Sequence, residues 1–266
     1  MEKRGQIIPG KRLGARPFVP QHKAKVPLFA AYKAALPAPP LNSGYVSEVA
    51  NWPMFLNASI GDCTIAAAAH MIQQWTQYAG KLVTPTDGQV LDAYEAVSGY
   101  NPNNPASDAG ATLLSALAYW KSHGIGGNKI VAWSAVDPTN KTEIQQAISI
   151  FGGVYIGLSL PVMSQNPGTG ANGLPLWSST GNFTGAGLPG GWGGHCIPLV
   201  GYGVDKESNE GTMGVTWAQL YDLTYGYIAA YCTEMYAIVT QEWIEADGLS
   251  PSGFDITQLL ADLPSV

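Results

Sequence analysis

Apolar positions recur at helical spacing in three early segments, then give way to strand-like runs in the second half of the chain. From about Cys63 to Ala79, Ile65, Ala68, Ile72 and Trp75 fall on one face, Ala69 and Met71 flank it, and Asp62 stands where an N-cap belongs. A second helix is predicted over about 87–97 on Val90, Leu91 and Tyr94. A third covers 110–123 on Leu113, Leu114, Leu117 and Trp120, closing at Gly124. Residues 129–133 then read as a strand, 142–151 as a helix and 154–160 as a buried strand. Strands follow at about 195–203 and 211–217. Thr224 caps a short helix through Cys232, and 234–240 form a last strand. Helices first and strands later predict an α+β fold: a helical lobe at about 51–128, an antiparallel β lobe at about 129–240, and a cleft between them.

Two stretches break the periodicity. Residues 1–53 contain Pro9, Pro17, Pro20, Pro27, Pro37, Pro39, Pro40 and Pro53, a density that denies regular structure and favours extended chain, with room for a short helix at about 27–35. We read residues 1–50 as an arm running over a surface. The glycine-rich run 164–194 ends directly on His195, as a flap bordering a cleft would; a plain surface loop is the alternative. The turn 205–209 has calcium-like residue types at the wrong spacing, and the tail 241–266 holds one weak helix near 255–262.

Composition narrows the function classes. With 266 residues, 46% apolar and 12% charged, the chain buries a core in one large domain or two small lobes. Three scattered cysteines support neither a disulfide framework nor a four-ligand zinc site, and no metal or organic cofactor is expected. No run reaches the ~18 apolar residues of a membrane helix. The first residues lack the apolar segment of a signal peptide, so synthesis in the cytoplasm without export is expected. Charge is split. Residues 1–33 hold eight cations against the single acid Glu2, a net +7, which leaves −13 on the remainder of a chain whose total is −6. A basic arm on an acidic body suits a protein partner or a second copy of this chain, reached through residues 1–50. Nucleic-acid binding is not expected, because no recognition fold accompanies the cations.

The candidate chemistry sits at the mouth of the first helix. Cys63 follows Asn57-Ala58-Ser59-Ile60-Gly61-Asp62, where the positive end of the helix dipole favours thiolate. His195 opens an apolar strand after Gly193-Gly194 and is the candidate general base and acid. Asn57 is either an oxyanion donor or a turn former. Trp217 is either core or a shield over the histidine's partner. His70 reads as a core histidine, Cys196 and Cys232 as small buried hydrophobes.

These landmarks resemble the papain-like cysteine peptidases over roughly residues 50–240. That family places an amide side chain six residues before its nucleophile, a glycine two before, and the cysteine at the start of a central helix. Asn57, Gly61 and Cys63 match. Its histidine strand reads much like 195–203, and its following Asn-Ser-Trp-Gly run falls on Val215-Thr216-Trp217-Ala218. The departures are Thr64 for the family's tryptophan, Asn57 for its glutamine, and Val215 where its histidine-orienting asparagine belongs. Thr216 is the candidate substitute, but strand neighbours face opposite ways, so a bulge is needed to bring it in. The overall look is similar to compact papain-like proteins of bacteria and their phages. The resemblance implies a weak cysteine hydrolase acting on a peptide or amide bond, with Cys63 as nucleophile. The alternative it leaves open is an inactive papain-fold assembly protein, such as a phage virion component docked by its basic arm.

Overall fold

The computed structural model describes residues 8–18, 28–29, 36–44, 49–204 and 210–241. The expected turn at 205–209, the weak helix near 255–262 and most of the short helix at 27–35 lie outside them. Helix α1 (Cys63–Tyr78) is buried along nearly its whole length. Its run of alanines lets neighbours approach closely, and its large residues anchor it at two points. Trp75 stacks on Trp120 at 5.5 Å between ring centroids and donates Nε1–H to the Phe151 carbonyl at 2.9 Å. Gln74 donates to the carbonyls of Gly152 and Val200. Helices α2 (Asp87–Ser98) and α3 (Leu113–Ser122) complete the helical side. A capping box closes the N-terminus of α2, where Thr86 and Gln89 bond each other's backbone N–H. Asp62, by contrast, makes no side-chain cap on α1, which corrects the expectation.

The other lobe is one sheet: β1 (Ser43–Gly44), β2 (Ile130–Ala135), β3 (Val154–Leu160), β4 (Gly168–Thr169), β5 (Pro175–Trp177), β6 (Gly193–Val204), β7 (Glu210–Thr216), β8 (Gln219–Thr224) and β9 (Cys232–Thr240). The strand order is β2-β9-β3-β6-β7-β8-β5-β4, with β1 on β6; only β5–β8 is parallel. Helix α4 (Lys141–Phe151) precedes β3, and α5 (Tyr225–Tyr231), capped by the Thr224 hydroxyl as expected, precedes β9. The segment 168–177 supplies strands β4 and β5 where only loop was expected. Among the described residues no helix is long and apolar enough to cross a membrane.

The long strand β6 is the spine of the molecule. It pairs with β3 from Gly193 to Leu199 and with β7 from Leu199 onward, and α1 packs across it. The β6–β7 register shifts at Val200: Leu199 stands opposite Gly214, but Gly201 opposite Met213. That one-residue bulge exchanges the faces of β7. Continued toward the histidine, the register after the bulge sets Thr216 across from Ile197, on His195's side of the sheet. Without it, Val215 would face His195. Val215 packs instead with Val49, Trp52 and Val200 in a small separate cluster.

The N-terminal segment is not held off the body. Phe29 lies in the main core with 1% of its surface exposed, and Ile8, Leu13 and Ala15 pack against it. The expectation that residues 1–50 avoid this domain's core therefore fails at these positions. Proline density barred regular structure but not burial of the apolar residues between the prolines.

Candidate active site

Cys63 is the first residue of α1 and is buried. Burial, aided by the Asp62 carboxyl beside it, pushes its thiol up to about 12. The backbone amides of Cys196, Gly14 and Ala15 face the sulfur and oppose this shift. The Cys196 amide places the sulfur against β6 one residue from His195, so the fold brings the cysteine and histidine segments together across the lobes.

His195 is buried, with Nε2 2.7 Å from the Thr216 hydroxyl. Its Nδ1 has no hydrogen-bond partner. Burial first, and the Lys11 ammonium second, bring its imidazole down to about 3. Trp217 stacks on the ring at 4.4 Å and 13°. The indole is delivered by a two-residue turn between β7 and β8, in which Trp217 and Ala218 have φ of 47° and 61°. Side chains other than Gly, Asn and Asp seldom take that conformation, and such strain concentrates at functional sites. Asn57 is delivered the same way, after Phe55 and Leu56 at φ 51° and 71°. Its Nδ2 donates to the Ile60 carbonyl at 3.2 Å, and the same side chain opposes the upward shift of the Asp62 carboxyl.

Between the two sides lies the arm itself, which sequence reasoning placed elsewhere. The Arg12 N–H donates to the Asn57 carbonyl at 2.9 Å, and Trp217 Nε1–H to the Arg12 carbonyl at 3.3 Å. The Ala15 N–H donates to the Gly194 carbonyl at 3.2 Å. Gly14 and Arg16 bracket Ala111, which donates to the Gly14 carbonyl and accepts from the Arg16 N–H, both at 2.9 Å, as a parallel bridge. The backbones meet glycine to glycine. A Cβ on Gly14 would stand 1.7 Å from the Gly61 oxygen, and one on Gly110 1.9 Å from the Gly14 oxygen. Asp108 supports this wall by accepting from the Gly61 N–H at 2.9 Å and from the Tyr94 hydroxyl. The expected flap over 164–194 contributes its final glycines, Trp192, which packs on Trp217, and Trp177, which packs on Trp217 and Tyr221.

His70, seven residues into α1, is a buried core histidine bonded to the Pro53 carbonyl at 2.8 Å, and burial lowers it to about 4. Among the described residues no group of His, Cys, Asp and Glu could hold a metal ion.

No protein-family model and no curated protein sequence matches the chain. Solved structures do. Xylellain, a cysteine protease from Xylella fastidiosa, aligns with a TM-score of 0.62 at 14% identity, over 90% of this chain and 98% of that one. Procathepsin B S9 from Trypanosoma congolense aligns at 0.59 and 10% identity, over 86% and 87%. Bromelain from Ananas comosus, in complex with the inhibitor E64, aligns at 0.53 and 13%, over 75% and 99%. The chain has the papain-like α+β fold of these cysteine proteases.

Proposed function

We propose that the chain is a papain-like cysteine peptidase whose cleft is closed by its own residues 11–16. The observation that carries this reading is the arm's seat. An extended main chain passes the Cys63 sulfur and is hydrogen-bonded from both walls, through Asn57 and Ala111 on one side and Gly194 and Trp217 on the other. A groove that binds backbone in this way binds peptides. The Gly14 and Ala15 amides lie beside the sulfur, so the arm occupies the groove at the thiol itself.

With the arm displaced, water reaches the thiol and the imidazole, and the burial that holds both neutral is relieved. His195 donates its Nε2 proton to Thr216, which leaves the Nδ1 lone pair to take the proton of the Cys63 thiol. The sulfur then adds to the substrate carbonyl. The Asn57 side-chain amide and the backbone N–H of Cys63 steady the oxyanion, and His195 returns the proton to the leaving amine. Water repeats the sequence on the thioester.

The test uses the full chain carrying Gly14→Val, whose side chain cannot fit beside Gly61. Hydrolysis of fluorogenic peptides is expected to appear in this variant and vanish when Cys63→Ala is added. Free alkylation of Cys63 in Gly14→Val with no hydrolysis of any peptide would refute the enzyme reading.

A further inference from the structure

Closing the groove does not explain one side chain of the arm. Lys11 lies three residues before Gly14, with its Nζ 4.8 Å from the Trp217 ring centroid and 5.6 Å from that of Tyr221. It donates to the Tyr221 hydroxyl at 2.9 Å. Both rings are buried, and they belong to an aromatic box. Trp177 packs on Tyr221 at 4.8 Å and edge-on to Trp217 at 6.1 Å, and Trp192 flanks Trp217 at 5.4 Å. Among the described residues no carboxylate pairs with Lys11. The cation is held by π faces and one phenol oxygen, an arrangement that attracts a cation through the ring quadrupoles and offers nothing to an anion. The same Trp217 indole stacks on His195 at 4.4 Å and receives the ammonium at 4.8 Å from its centroid.

We infer that the Trp217–Tyr221 face is a cation subsite of the cleft, occupied in this structure by Lys11, that accepts a lysine or arginine side chain of a peptide bound in the groove. The inference rests on the peptidase reading for its substrate class. Its position supports it: at ~3.3 Å per extended residue, the subsite lies about 10 Å along the chain from the point where the arm passes the thiol. A peptide threaded through the groove reaches it with a side chain three or four residues from its reacting bond. Trp217 joins the subsite to the chemistry, because the ring that receives the cation also stacks on the catalytic imidazole. An ammonium there disfavours the imidazolium, as Lys11 does in the closed state. Arm and substrate compete for the same box.

The experiment reads cleft occupancy through iodoacetamide labelling of Cys63 in the full chain, which does not require hydrolysis. Lys11→Met keeps the stem and removes the charge. Labelling is expected to rise by about threefold to thirtyfold, the range that separates exposed from desolvated cation–π contacts. Lys11→Arg is expected to stay within about twofold of the unmodified chain, since a guanidinium serves the same faces. In the Gly14→Val chain, a peptide with the sequence of residues 8–17 should slow labelling, and the same peptide with norleucine in place of its lysine should not at equal concentration. Labelling of Lys11→Met at the unmodified rate, or equal protection by the norleucine peptide, would overturn the subsite. Failure of Gly14→Val to hydrolyse peptides would remove the enzyme reading and leave these labelling rates unchanged, so the two claims fail separately.

Discussion

The two walls of the cleft hold the same segment by different physics. The helical wall, Gly61 with Gly110 and Ala111, has no side chains to offer. It meets the arm backbone to backbone, closely enough that no Cβ fits at Gly14. The β wall also touches the arm's main chain, at Gly194, but adds the ring faces of Trp217 and Tyr221, which receive the charge of Lys11. Contact with a main chain is indifferent to sequence and unforgiving of bulk. Contact with ring faces is the reverse. The division extends to the ionisable groups: Asp62 on the first wall is driven upward and His195 on the second downward, each toward its neutral form and mainly by burial. Closure therefore disfavours ionisation of both groups.

The largest effect is expected on the β wall. Thr216→Val removes the one acceptor for the His195 Nε2 proton while keeping the side-chain shape. Peptide hydrolysis by the Gly14→Val chain should drop by about 10²-fold, the lower end of what general-base catalysis contributes. Thr216→Asn should retain much more of it, and similar rates in all three chains would show that the hydroxyl orients nothing. Val215→Asn, attractive from the sequence as a repair of the triad, should instead cost stability without raising turnover. It buries an amide among Val49, Trp52 and Val200.

The complementary break lies on the helical wall. Gly14→Val should speed Cys63 labelling by about fivefold to 150-fold, the change that overpacking of about 1–3 kcal/mol produces. If labelling is unchanged, the glycine contact does not hold the arm down.

The contrast between the walls also separates what was legible in the sequence from what was not. Helices and long strands announced themselves by period, and the Cys63 and His195 contexts by spacing. Thr216 was a candidate, but the bulge that turns it toward His195 comes from Val200 on another strand, a non-local register that no periodicity in β7 encodes. Short strands β4 and β5 have too few residues for alternation to show. The arm's seat was illegible for the reason that makes it tight: it is bonded through main chain, which every residue carries alike. Leu13 and Lys11, the side chains that do report on it, read in sequence as one apolar residue among basic ones.

A smaller effect distinguishes the walls by pH. His195 titrates near 3 in the fold and near 6.5 unfolded, so between those values the unfolded chain binds the extra proton. Stability is therefore complete above about pH 6.5 and falls as the pH drops toward 3, at up to ~1.4 kcal/mol per pH unit. His70, lowered to about 4, adds a slope of the same sign. Urea melts of His195→Gln against the unmodified chain should differ in slope over this window and run parallel above it. Parallel curves throughout would mean that the ring is not buried neutral.

Asp62 supplies the opposite sign and the smallest effect. Its carboxyl is fully buried, and its pKa stands well above the ordinary range, mainly through desolvation, with the Asn57 side chain opposing only in part. A raised folded pKa means that the unfolded chain loses its proton first. The contribution is intact below the unfolded value near 3.9 and is lost as the pH rises through the folded one. Asp62→Asn removes that loss and keeps the shape. The variant should match the unmodified chain near pH 4 and exceed it in stability at pH 8, because only the unmodified chain carries the buried carboxyl whose ionisation the fold opposes. The same substitution removes a charge next to Cys63 that would oppose its ionisation. Labelling of Cys63 in the Gly14→Val chain should therefore reach half-maximum at a lower pH when Asp62→Asn is added. A variant less stable than the unmodified chain at pH 8 would show that the carboxylate is ionised and held there by donors on the helical wall. In that case the two walls would not be alike in burying neutral groups.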